Sequence, residues 1–260
     1  MKYLLFNIKA EQPLLLTSLQ GDPNSSVSFP YIPGSVIRGA FITKYCQKHY
    51  AGGKLKLEDS DARRLFFNGS THFLHAYPLG ENKRSLPIPR CLTYEKQSDW
   101  IDNARDVFDR SVTTPPDTVL KTFTDGFLAY GTSQSLLRFY SVEKLVHIHN
   151  QRDRPHGRGI EGQGALFRYE AIAPDQVFQA VIICDTDSDA DVLKDLICVH
   201  EDNVGDIDVW LPQQAWLGGS RSAGYGAVIF DNGSIISTWA EAGIRLDKRF
   251  SFQQVLDNQE

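Results

Sequence analysis

Val36, Ile37, Ala40, Phe41 and Tyr45 recur at spacings of three, four and their sums, which lays one apolar stripe along a helix that opens at Ser35 and runs to about His49. Pro33 stands just before the start, and AGGK at 51–54 ends it. A second stripe, Val192, Leu193, Leu196 and Ile197, lies in SDADVLKDLICV, whose first-turn acids suit the positive end of a helix dipole. Segments of strand character bracket both helices. They are residues 2–17, with a bend or edge position at Pro13, then THFLHAYPL, then ALFRYEAIAPDQVFQAVIICD as two strands or one bent one, and finally YGAVIFD. A short charged helical piece is expected over 58–67.

Between residues 78 and 163 no period dominates. SLPIPR and TTPPD break the pattern, and only LLRFYSVEKLVHIH is regular, reading as a hairpin. With that insertion set aside, the order is strand, helix, strand, strand, helix, strand. This order predicts an α+β fold with a ferredoxin-like antiparallel sheet and two helices on one face. The expected divisions are 1–77 and 164–231 for the two parts of the core, 78–163 for the insertion and 232–260 for a C-terminal tail.

At 260 residues and 42% hydrophobic content the chain is long enough to bury a sizeable core. It holds no 18-residue apolar run, and its first residues alternate and carry charge, so neither a membrane span nor a signal peptide is expected and a cytoplasmic location follows. Cys46, Cys91, Cys184 and Cys198 are never two or three residues apart, which predicts buried thiols and no zinc knuckle or redox pair.

The net charge of −5 is unevenly placed. Nine acids against Lys194 alone give residues 185–208 a charge of −8, leaving +3 for the rest of the chain. Because a field is local on the scale of a Debye length of about 8 to 10 Å, binding to a polyanion is allowed.

Two features ask for an anion. Arg38 lies in the first turn of its helix, where the dipole disfavours a cation, so PGSVIRG can seat a phosphate on the Gly34–Ile37 amides and Arg38; the alternative is an ion pair between Arg38 and the acidic segment. LGGSRSAGYGAV carries Gly218, Gly219, Gly224 and Gly226, which let amides approach an anion. Arg221 adds a charged fork, Ser220 and Ser222 flank it, and Tyr225 offers a stacking face; the alternative is a flexible hairpin.

VHIHNQRDRPHGRG holds His147, His149, His156, Arg152, Arg154 and Arg158 against Asp153 alone. A solvated basic hairpin, a metal-binding His147–His149 pair and an RNA-contacting arm are the three readings, and no third ligand is spaced for a metal. Gly157, Gly159 and Gly162 spell G-x-G-x-x-G, but neither a buried strand before nor a helix after supports a dinucleotide site. No nucleophile elbow is present, and no cofactor or metal is called for.

IPGSVIRGAF, GALFRYEAIAPDQVF and GGSRSAGYGAV taken together resemble the RAMP superfamily of CRISPR-associated proteins, which build on a ferredoxin-like, RNA-recognition-like fold with a glycine-rich loop near the last core strand. FLHAYPL and SLPIPRC further resemble the member of subtype III-D effector complexes placed at the guide RNA 5′ end. The resemblance spans about residues 2–229 and fades over 99–141. It implies a subunit that holds the repeat-derived 5′ tag of the guide RNA and joins the large polymerase-like subunit to the backbone RAMP subunits, meeting target RNA only indirectly. Gly34, Ser35 and Arg38 would then seat phosphates; Gly219, Ser220, Arg221, Ser222 and Tyr225 would cradle the tag; and the hairpin with His147, Arg152 and Arg154 would act as a thumb. Backbone relatives cut target RNA with an aspartate in the loop after the first strand, where this chain has Asp22 followed by Pro23; a processing nuclease would use a histidine, for which His49, His72 and His75 are the candidates.

Overall fold

A computed structural model describes residues 1–17, 25–80, 82–96, 107–111, 119–124, 126–130, 137–150, 166–197 and 211–238. In chain order the elements are β1 (Lys2–Ala10), β2 (Ser25–Val27), α1 (Gly34–His49), α2 (Ser60–Phe66), β3 (Thr71–Phe73), β4 (Tyr77–Gly80), β5 (Lys83–Arg84), β6 (Leu86–Pro87), β7 (Leu92–Glu95) and β8 (Phe108–Asp109). They continue with β9 (Leu120–Thr122), β10 (Phe127–Tyr130), β11 (Leu137–Tyr140), β12 (Lys144–Asn150), β13 (Leu166–Ile172), β14 (Val177–Cys184), α3 (Asp187–Lys194), β15 (Gln213–Trp216) and β16 (Ala227–Ile236). The fold is mixed α+β, with mostly antiparallel sheets and three α-helices among the described residues. None of those helices is long and apolar enough to cross a membrane.

Two units are distinct: one built from Met1–Ala76 and Val142–Ser237, the other from Tyr77–Ser141. In the first, four strands run β15–β16–β1–β14, all antiparallel, and β3 also pairs with β14. Period-2 alternation in β1 sends Leu4, Phe6, Ile8 and Ala10 to one face, each fully buried. There Phe6 meets Phe41 of α1 at 5.6 Å and Phe230 of β16 at 5.3 Å between ring centroids, so one aromatic cluster joins the first helix to the first and last strands. On α1 the stripe is as the spacing predicts, with Ile37, Ala40, Phe41 and Tyr45 buried and Val36 partly so. A second sheet of this unit sets β13 between antiparallel β12 and parallel β2.

The other unit holds two three-stranded sheets, β11–β10–β6 and β8–β7–β9, and the β4–β5 hairpin. Its core is Leu92, Leu128 and Phe139, with Ile88, Cys91, Val107 and Phe123 packed on it.

Several boundaries differ from the sequence expectations. The first strand ends at Ala10, three residues before Pro13, and Leu14 makes a separate bridge to Ile172. LLRFYSVEKLVHIH is not a hairpin: β11 pairs with β10, while β12 pairs with β13. ALFRYEAIAPDQVFQAVIICD forms two strands, the first of the two expected alternatives, turned at Asp175 with φ 65°. The last strand continues past Asp231 to Ile236, because its register with β1 runs on to Tyr3↔Ile236. The helix of the acidic segment stops at Lys194; Leu196 and Ile197 are still buried, in the turn that follows.

Candidate nucleic-acid interface

The first helix opens differently from the capping expectation. Pro33 is the N-cap in extended conformation, Ser35 lies inside the helix and is exposed, and no side chain caps the start. The reason is a close approach: a Cβ on Gly34 would lie 2.0 Å from the carbonyl oxygen of Phe73, so only glycine lets the helix begin against the end of β3. The Gly34 amide donates to Nδ1 of His75 at 2.9 Å, while those of Val36 and Ile37 reach the Pro33 carbonyl. Most of the amides that make up the expected phosphate seat therefore have internal acceptors. Arg38 remains exposed, in a turn without acids, and makes no hydrogen bond or ion pair among the described residues. Of the described acids in that segment, Asp189 pairs with Arg64 at 2.9 Å and Asp187 with Lys2 at 3.6 Å.

The glycine loop is pinned, contrary to the bare and mobile strip that its composition suggests. Leu217 donates its amide to Gly226, Gly219 to Leu15 and Gly226 to Pro13. Gly218, Gly224 and Gly226 have φ of 81°, 85° and 96°, and a Cβ on Gly218 would meet the Leu15 carbonyl oxygen at 2.4 Å. Within this frame Arg221–Ala223 makes one 3₁₀ turn, with Ser220 left-handed at φ 55°. Gly219, Arg221, Ser222 and Gly224 are exposed. The Arg221 guanidinium folds back, donating to the Trp216 carbonyl at 3.2 Å and to that of Gly218 at 3.4 Å.

Tyr225 is not a stacking face: it is 3% exposed. Its hydroxyl lies 2.5 Å from Nδ1 of His147 and 3.2 Å from Nε2 of His149, the two histidines that alternation puts on one face of β12. Burial, and secondarily Tyr169, push its phenol above the ordinary range. The same register sets His147 opposite Tyr169 and His149 opposite Phe167, and the His149 and Phe167 rings stack at 5.7 Å. Leu15 and Ala171 complete this small core under the loop.

Thus His147 and Tyr225, 78 residues apart, are brought together, and so are Gly34 and His75. Asp22, Arg152 and Arg154, and the 157–162 glycine motif, lie outside the described residues. Among the described residues no three His, Cys, Asp or Glu side chains gather as metal ligands would. Sequence reasoning passed over one group. The Phe29 and Tyr31 rings meet in a tilted arrangement with centroids 5.2 Å apart, and Tyr31 meets His75 likewise at 4.8 Å. The signal was present as alternation in SFPYIP: Ser28 and Ile32 are buried, while Phe29 and Tyr31 are only half-buried.

Among solved structures, the chain is similar to a subunit of the type III-B Cmr-beta complex bound to cognate target RNA, at 16% identity and TM-score 0.46, covering 91% of this chain and 61%, less than two thirds, of that one. A chain of the apo Cmr-beta complex aligns at 11% identity and TM-score 0.45, covering 88% of this chain and 96% of that one. Oligomeric Cmr4 from Pyrococcus furiosus aligns at 14% identity and TM-score 0.39, covering 92% and 100%. No curated protein matches. The family model of the RAMP superfamily matches residues 7–229, most of the sequence, and the chain belongs to that superfamily.

Proposed function

We propose that this chain is a non-catalytic RNA-binding subunit of a type III CRISPR effector complex working in the cytoplasm, of the III-D kind. It holds the repeat-derived 5′ tag of the guide RNA and bridges the large polymerase-like subunit to the backbone RAMP subunits. One observation carries the reading: in a RAMP chain, Gly219 and residues 221–224, with Arg221 and Ser222, stand exposed on a loop fixed at both ends to the Pro13–Leu15 backbone. A preorganised loop presents its outward groups to an anion without an ordering cost at the moment of binding. Ser35 and Arg38 add a second exposed polar site, and the basic sequence with Arg152 and Arg154 is assigned to RNA contact. On this reading the core works as a ferredoxin-like sheet, and Tyr225 and His147 fix the loop from beneath.

The test is to purify the chain from cells expressing its genomic neighbours and to sequence the RNA that accompanies it, with Asp22→Ala and Arg221→Ala prepared alongside. Short RNAs sharing one fixed 5′ sequence, depleted by Arg221→Ala, support a tag-holding subunit, and target cleavage unchanged by Asp22→Ala supports a non-catalytic one. RNA without a common 5′ end refutes tag binding, and cleavage lost in Asp22→Ala makes the chain a backbone-type endoribonuclease.

A further inference from the structure

Strand β15 ends on a large aromatic side chain that the fold leaves uncovered. Alternation sends Ala215 into the main core, at 5% exposure, and turns Gln214 and Trp216 to the other face, where both are exposed. Trp216 is 44% exposed, and among the described residues its ring meets no other ring or cation and its Nε1–H meets no acceptor. Single exposed apolar side chains are ordinary, but a tryptophan is usually well covered. Among the described residues 213–236 no other large hydrophobic side chain is exposed.

The backbone beneath the indole is fixed. Trp216 pairs with Ala227 of β16, and the next amide, that of Leu217, donates to the Gly226 carbonyl at 2.8 Å. The Arg221 guanidinium is brought to this strand end by its bonds to the Trp216 carbonyl at 3.2 Å and the Gly218 carbonyl at 3.4 Å. Those bonds use two of its five N–H donors, and three remain on an exposed side chain.

The company that Trp216 keeps decides what it suits. A tryptophan that anchors a protein partner sits in a desolvated patch ringed by further apolar contacts. Here the exposed side chains nearest in sequence are donors: the Gln214 amide, the Arg221 fork and the Ser222 hydroxyl. An open π-face with a half-free guanidinium at its backbone matches one nucleotide of an unpaired strand, the base on the indole and the phosphate on the fork. A base inside a duplex has both faces covered by its neighbours.

We propose that the Trp216 indole is the stacking platform for one unpaired nucleobase of the bound RNA, with the adjoining phosphate on the remaining N–H groups of Arg221. This rests on the RNA-binding reading above and deepens it, because the loop supplies an anion seat and Trp216 adds the choice of a single strand over a duplex.

The experiment uses the full chain with 5′-fluorescein-labelled oligouridylate and oligoadenylate of about 12 nucleotides, within the site sizes common for single-strand binders, and the annealed duplex as a third probe. Trp216→Leu should raise Kd for the single strands about tenfold, leave duplex binding unchanged and keep the slope of log Kd against log salt in place. Trp216→Phe, which keeps a ring, should recover most of the loss and gives a second reading should Trp216→Leu unfold. Arg221→Gln should lower the salt slope by about 0.7, the share of one phosphate on a single strand. Replacing single nucleotides by abasic ones should reveal one position that costs affinity in the wild-type chain and nothing further in Trp216→Leu, a coupling that a merely structural role of Trp216 would not produce. Equal Kd for wild type and Trp216→Leu overturns the platform and leaves the RNA-binding function standing; if that variant also fails to copurify with the other effector subunits, the indole is a protein contact instead. An equal loss for duplex and single strands overturns the choice of an unpaired base. A wild-type chain that binds neither single strand overturns both the platform and the function.

Discussion

The hydroxyl of Tyr225 sits between two imidazoles, 2.5 Å from His147 Nδ1 and 3.2 Å from His149 Nε2. A phenol has one proton to give, so at least one histidine must donate its own N–H to the oxygen, and the trio is satisfied only as a set. Tyr225→Phe should cost about 1 to 2 kcal/mol, measured by urea unfolding, and should speed amide exchange at Gly219 and Gly226 beyond the global effect. The phenol is raised above its ordinary value near 10, so its contribution to stability is complete below about pH 10 and is lost as pH climbs through the folded value.

Gly34→Ala should destabilise by about 2 to 4 kcal/mol. The added methyl would meet a backbone carbonyl at 2.0 Å, not the yielding end of a side chain, so the helix start or β3 must move. Calorimetric melting reads the loss. An unchanged melting temperature would mean that the helix can begin one residue later at no cost.

Asp189 is 1% exposed and joined to Arg64, which is 40% exposed, and its second carboxylate oxygen has no hydrogen-bond partner. Arg64→Ala would leave that carboxylate buried without its cation. The expected cost is about 2 to 3 kcal/mol, below the range for a fully buried pair because water reaches the arginine. Adding Asp189→Asn should recover part of it, and a double-mutant cycle by chemical denaturation measures the coupling.

Asp59 caps α2 by accepting from the amides of Asp61 and Ala62, and accepts hydroxyls from Tyr50 at 2.6 Å and Tyr45 at 3.3 Å. The Tyr50 bond, then the Ala62 amide, holds its carboxyl below the ordinary value. A depressed carboxyl supplies stability that is present above about pH 4 and disappears as pH falls through the folded value. Tyr50→Phe removes the largest cause, so the drop in melting temperature on acidification should be shallower than in the wild type. On the alkaline side, burial and then Asp59 push Tyr45 up to about 12, so its share is lost as pH climbs from about 10 toward that value.

Helical stripes were legible because their period is local. The residues that predict α1, from Ile37 to Tyr45, join the main core, with Phe41 meeting Phe6 and Phe230. The end of β1 was not legible, since Leu14, Leu15 and Leu16 are as apolar as the strand itself and all three are buried. What turns them out of the ladder is set by Ile172 and Gly219, more than 150 residues away. The glycine loop was recognisable as a loop but not as a pinned one, because its acceptors are the carbonyls of Pro13 and Leu15. The 28–33 stretch, SFPYIP, carries two prolines and forms no strand, and the isolated bridges that hold it, Ser28 to Thr17 and Ile32 to Ala76, depend on partners that local pattern does not name.

Strand β1 lies between β14 and β16, with Leu5 opposite Val181 and Lys9 opposite Ile229. During synthesis β1 emerges with neither neighbour and waits for β14 and then β16 to follow. At about 5 to 20 residues per second its second edge waits on the order of ten to forty seconds. Throughout that interval a strand whose Leu4, Phe6, Ile8 and Ala10 are fully buried in the finished fold presents open amides and carbonyls, the kind of edge that invites off-pathway pairing.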